Sequence, residues 1–148
     1  MIKDMQTTQK TFSLHADVGV GAVTLTVANL ENQIRFYQQA LGLKLQSQEG
    51  NKATLGSDST ALLNLIEEPN LKKYRGVTGL YHFAILFPNR KELAIAIARL
   101  FAIKYRNSPT DHIMTKTTYL DDPEGNGIEL YAESPEDGSW TLKDGKYE

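Results

Sequence analysis

Apolar positions along this chain change period several times, and each change marks an element. Over residues 22–27, Val23, Leu25 and Val27 alternate with Ala22, Thr24 and Thr26, the two-residue period of a strand buried on one face. Asn29 then stands where an N-cap belongs. Leu30, Ile34, Tyr37 and Leu41 follow at helical spacing until Gly42, a residue suited to the left-handed turn that closes a helix. From Leu43 to Ile66 the pattern breaks into short runs separated by Gly50, Gly56 and Asp58, which predict a meander of three antiparallel strands.

The same order then recurs. Residues 80–87 (LYHFAILF) predict a second strand, and Pro88 and Asn89 open a second helix through Leu93, Ile97 and Leu100. Strand-like pieces follow around Tyr105 and over residues 115–120 and 127–132. Laid half on half, AVTLTVAN at 22–29 matches HFAILFPN at 82–89, with Asn29 opposite Asn89. LGLKL at 41–45 falls opposite LFAIKY at 100–105, and LNLIEE at 63–68 opposite IELYAE at 128–133. The expected fold class is α+β, built from two βαβββ modules at about 18–68 and 79–134. One module alone leaves a sheet face uncovered, so the two are expected to pack as a single domain over residues 18–148. Residues 69–78 are the connection. Residues 1–17 show no sustained period and read as an N-terminal arm, either a loose terminus or an added edge strand. In the C-terminal tail, 135–148, Trp140 and Tyr147 are expected to form a packing cover.

Composition narrows the function. The chain has 148 residues, is 41% hydrophobic and 23% charged, and carries a formal charge of -2, the balance of one globular domain with a core. Its lysines and arginines are scattered, with Arg35, Arg90, Arg99 and the group Lys72, Lys73 and Arg75 read as solvated faces. There is no basic footprint for nucleic acid. The absence of cysteine excludes disulfides, thiolate metal sites and thiol nucleophiles. With no signal-peptide pattern and no run long enough to span a membrane, the expected location is the cytoplasm and no membrane partner is expected.

Chemistry concentrates in DDPEGNGIELY, residues 121–131. Pro123, Gly125, Asn126 and Gly127 make a turn that feeds a strand. On that strand Ile128, Leu130 and Ala132 face one side, and Glu129, Tyr131 and Glu133 the other. A carboxylate such as Glu129 among apolar neighbours needs a partner.

The repeated βαβββ pattern, together with NLENQIRFYQQALGL, YHFAI and YLDDPEGNGIELY, resembles the vicinal-oxygen-chelate superfamily of glyoxalases, bleomycin-resistance proteins and extradiol dioxygenases. Residues 79–100 and 111–133 resemble in particular the N-terminal half of catechol 2,3-dioxygenase-like proteins. The resemblance covers roughly Val18 to Trp140. It implies a cup-shaped mixed sheet and a divalent metal held by residues of the first and last strands of each module, with substrates chelating through adjacent oxygens. Carried over by position, the second module supplies His82 and Glu129 as metal ligands. The first module departs from the pattern, with Ala22 and Asn64 at the matching positions.

A non-haem iron site needs two imidazoles and a carboxylate, and a catalytic zinc site three protein ligands, so this set is incomplete. His112 from a neighbouring strand, His15 from the arm or the Asn64 amide are the conceivable completions, and His112 is also the candidate catalytic acid–base group. Tyr119 and Tyr131 are candidate substrate-binding residues. With Tyr81 and Phe83 they alternate along strands and belong to the core or the cup wall. His82 and Glu129 can also satisfy one another without an ion.

The functions implied are a metal-dependent extradiol dioxygenase or glyoxalase-type lyase, with Fe(II) for the oxygenase, or a metal-free binding domain of the bleomycin-resistance type. A third is a non-catalytic N-terminal half of a longer dioxygenase. The expected ligand is a small aromatic or vicinal-oxygen molecule, and a homodimer with exchanged modules is an open arrangement.

Overall fold

In the computed structural model, residues 13–72, 76–138, 142–143 and 146–147 are described. The first module is β1 (Val23–Val27), α1 (Leu30–Leu41), β2 (Lys44–Glu49), β3 (Lys52–Gly56) and β4 (Ala61–Glu67). The second is β5 (Phe83–Leu86), α2 (Arg90–Ala102), β6 (Ser108–Asp111), β7 (Thr115–Asp121) and β8 (Gly127–Glu133). A short hairpin follows, β9 (Leu142–Lys143) with β10 (Lys146–Tyr147). Each module forms one four-stranded mixed sheet, ordered β1-β4-β3-β2 and β5-β8-β7-β6.

The two registers coincide. In the first sheet Val23 pairs with Leu63 and Thr24 with Asn64. In the second, Phe83 pairs with Ile128 and Ala84 with Glu129. His82 therefore stands to Glu129 as Ala22 stands to Asn64, which is the half-on-half alignment drawn from hydrophobic pattern alone.

Local chemistry explains the helices. Asn29 accepts the Asn32 N–H at 2.8 Å, and Asn89 accepts the Glu92 N–H at 3.0 Å, so both predicted N-caps form. Gly42 closes α1 at φ 73. The second helix ends differently, with Lys104 left-handed at φ 54 and the Tyr105 N–H donating to the Leu100 carbonyl.

This turn corrects the sequence reading at two places. Tyr105 lies in the connection rather than a strand, and the strand that follows is Ser108–Asp111, exposed throughout and containing Pro109. It is an edge strand, where a missing N–H is tolerated. The first strand of module two also begins later than expected, at Phe83. Leu80 and Tyr81 precede it, and Tyr81 is 88% exposed, outside the core.

The arm shows no strand among its described residues, and Leu14, Val18 and Val20 are exposed. Lys73, Arg75 and Trp140 lie outside the described residues, as does the Tyr147 side chain. No helix among the described residues is long and apolar enough to cross a membrane.

One hydrophobic core joins the modules, running from Leu25, Leu55 and Leu65 through Tyr37 to Leu93, Ile128 and Leu130. Polar bonds clasp the modules at the DDPEG turn. The fully buried Tyr37 donates its hydroxyl to Asp122 Oδ2 at 3.0 Å. Glu124 accepts the Ala28 and Asn29 N–H groups through contacts of 2.9 to 3.0 Å, placing a carboxylate at the α1 N-terminus. Phe36 packs on Tyr105 with ring centroids 5.0 Å apart. Gly127, last of the turn glycines, is required by close approach. A Cβ there would collide with the Tyr81 carbonyl oxygen and sit 3.0 Å from His82 Cβ. The turn thus fixes β8 against the residue that precedes β5.

Candidate functional site

The sheet face opposite the core carries the chemistry of module two. Along β8, Ile128, Leu130 and Ala132 are buried toward the helices, which leaves Glu129 and Tyr131 half-buried on the other face. Across the ladder, Tyr119 pairs with Glu129 and Thr117 with Tyr131, so β7 brings a phenol beside the carboxylate. His82 enters from just before β5.

These groups lie in a series of close polar contacts. His82 Nε2 lies 3.0 Å from Glu129 Oε2, with the two side chains 29% and 17% exposed. The Tyr119 hydroxyl donates to Glu129 Oε1 at 3.0 Å. His112 Nε2 lies 3.2 Å from the Tyr119 oxygen. The only hydroxyl proton of Tyr119 goes to Glu129, so His112 Nε2–H is the donor in that contact. His82 and Glu129 are a close pair, charged on the imidazole only when it is protonated. The two hydrogen bonds of the group, His112 to Tyr119 and Tyr119 to Glu129, both run toward the carboxylate. Loss of hydration first, and the Glu129 carboxylate second, push the Tyr119 hydroxyl above its ordinary pKa, which keeps the phenol protonated.

The sequence candidates divide accordingly. His82, Glu129, Tyr119 and His112 come together. Tyr131 shares their face without joining the series. His15 lies in an exposed turn with Nδ1 3.4 Å from Asp17. Ala22 is exposed and offers no donor, and the Asn64 side-chain oxygen accepts the Thr54 hydroxyl at 3.0 Å.

His82 and Glu129 provide two of the three protein ligands that the metal implied by the family resemblance needs, with His82 presenting an unprotonated Nε2. His112 is separated from Glu129 by the Tyr119 phenol. Among the described residues no group of three His, Cys, Asp or Glu side chains is placed to hold an ion.

A cavity of about 660 Å³ adjoins the series, with His82 and Tyr119 on its wall beside Tyr81, Tyr105, Lys104 and Arg106. Tyr131 is absent from that wall. Sequence reasoning missed Tyr105, Lys104 and Arg106, because they lie in a connection with no period. The one local signal was Lys104, a helix-ending position where glycine would be ordinary.

Comparison with known proteins agrees with this architecture. The model of the Glyoxalase/Bleomycin resistance protein/Dioxygenase superfamily matches residues 19–130. A catechol-2,3-dioxygenase of Bacillus subtilis (strain 168) is 40% identical over 138 residues, which are 91% of this chain and 48% of that protein. The chain therefore spans about half the length of that relative. Among solved structures, a glyoxalase/dioxygenase from Nostoc punctiforme aligns with TM-score 0.68 and 19% identity, covering 84% of this chain and 99% of that one. A lactoylglutathione lyase from Agrobacterium tumefaciens aligns with TM-score 0.63 and 18% identity, covering 80% and 96%.

Proposed function

Because the chain belongs to the glyoxalase/bleomycin resistance protein/dioxygenase superfamily, we propose that it is a metal-independent ligand-binding module pair of a catechol-2,3-dioxygenase-like protein. Its ligand is a small hydroxylated aromatic molecule. The observation that carries this reading is the close pairing of His82 with Glu129, 3.0 Å apart, with the Tyr119 hydroxyl donating to the second carboxylate oxygen. The residues at the family's metal positions satisfy each other.

The adjoining cavity supports it, since about 660 Å³ falls within the usual range for small-molecule sites and its wall carries aromatic rings beside convergent polar groups. A ligand hydroxyl entering there would donate to His82 Nδ1 or to the Tyr119 oxygen. The named relative is about twice as long as the matched segment, and ring cleavage is not a step these residues supply.

The alternative, in which His82 and Glu129 hold Fe(II) and His112 acts as acid–base group, rests on their lying side by side at the family's ligand positions. Metal analysis separates the two. Protein purified without chelator and loaded anaerobically with Fe(II) is expected to retain no more metal than the His82→Ala and Glu129→Gln variants. Near-stoichiometric iron that both variants lose would overturn the metal-independent reading.

A further inference from the structure

The cavity has a charged wall that the site series does not use. Lys104 and Arg106 both line it. Neither side chain makes a hydrogen bond or ion pair with any described residue. Two other cations of the second module are tied down. Arg90 reaches Glu136 and Asp137, and Lys116 reaches Asp111 and Asp137.

Two carboxylates share the wall with Lys104 and Arg106. Asp122 is committed to Tyr37, the Glu124 and Asn126 N–H groups and the Asn126 amide. Asp121 shares that wall, its backbone carbonyl accepting the Tyr105 hydroxyl at 2.9 Å. The backbone turns here through Lys104 at φ 54, a conformation that disfavours a residue with a side chain. Lys104 and Arg106 thus present two exposed cations on one cavity wall.

We infer that this wall selects an aromatic acid: the ligand's carboxylate lies against Arg106 and Lys104 while its hydroxyl reaches the His82 and Tyr119 end. The planar guanidinium of Arg106 donates two parallel hydrogen bonds to a carboxylate, and the Lys104 ammonium adds a second cation. The inference rests on the ligand-binding reading above and goes beyond it in naming the acid group and the residues that read it.

Calorimetric titration of the full chain with catechol and with 3,4-dihydroxybenzoate tests it. The acid is expected to bind about tenfold more tightly at low salt, the effect of one charge-assisted contact at an exposed wall. Arg106→Gln should remove that advantage by weakening the acid far more than catechol, Arg106→Lys should restore part of it, and added salt should shrink it. Equal affinity for the two compounds, or an equal loss for both in Arg106→Gln, overturns the acid-selective wall and leaves the ligand-binding reading standing. If neither compound binds, the ligand-binding reading falls and the inference with it.

Discussion

Replacing Tyr37 by Phe removes one hydroxyl from the centre of the molecule and changes almost nothing else. Tyr37 is fully buried and Asp122 is 4% exposed, so water cannot substitute for the 3.0 Å bond between them. A hydrogen bond to a charged acceptor contributes roughly 1.5–3 kcal/mol. Asp122 retains three donors, the Glu124 and Asn126 N–H groups and the Asn126 amide, at 2.8 to 2.9 Å. The remaining carboxylate is therefore well satisfied, and the low end applies, about 1.5 kcal/mol. The ring keeps its volume, so no cavity adds to the loss. For a chain of this size the midpoint of thermal unfolding should fall by about 3–6 °C. Urea unfolding of Tyr37→Phe, Asp122→Asn and the double variant gives the coupling directly, expected near 1 kcal/mol. A single-variant loss below about 0.5 kcal/mol, or strictly additive losses, would refute the claim that this bond clasps the modules.

Two further outcomes follow from the same geometry. Gly127→Ala forces a methyl group against the Tyr81 carbonyl and His82, so it should cost about 1–3 kcal/mol by overpacking and weaken catechol binding; unchanged urea stability would show that the approach is not tight. Tyr37, Tyr105 and Tyr119 all have pKa values raised above the ordinary 10.0, by burial first and nearby carboxylates after it, Asp122 for Tyr37, Asp122 and Asp121 for Tyr105, and Glu129 for Tyr119. The fold favours their protonated forms, so their contribution to stability is complete below pH 10 and declines as pH rises through the raised values. Near-ultraviolet titration of the folded chain should show these three of the seven tyrosines lagging, and a single transition near the ordinary value with the fold intact would contradict this.

What could be read from the chain beforehand follows the range of the interactions involved. Asn29, Asn89 and Gly42 act within a few residues, and their caps form as the pattern predicts. Strict alternation in Val23–Val27 and Gly127–Glu133 fixed which side chains share a face, because a slip of one residue would turn the apolar set outward. The pairing of His82 with Glu129 was implied by the family resemblance, and the equal registers of the two sheets set His82 and Glu129 in the same relation as Ala22 and Asn64.

By contrast, Tyr37 with Asp122 and Ala28 with Glu124 are partners 85 and 96 positions apart and leave no local trace. The DDPEG turn, read as a simple reversal, proves to hold the modules together. The edge strand Ser108–Asp111 escaped because it is exposed and carries no apolar alternation. The role of Tyr119 as the link between His112 and Glu129 depends on a cross-strand pairing that composition alone does not specify.

On the reading proposed above, His82, Glu129, Tyr119 and His112 form a series of close polar contacts beside a cavity that takes an aromatic ligand without a metal. Calorimetric titration of the chain with 3,4-dihydroxybenzoate, in excess chelator and again after anaerobic Fe(II) loading, tests it most directly. The predicted result is saturable binding with the same affinity in both conditions. Binding that appears only with Fe(II) and vanishes with chelator would contradict the account and return His82 and Glu129 to the role of metal ligands.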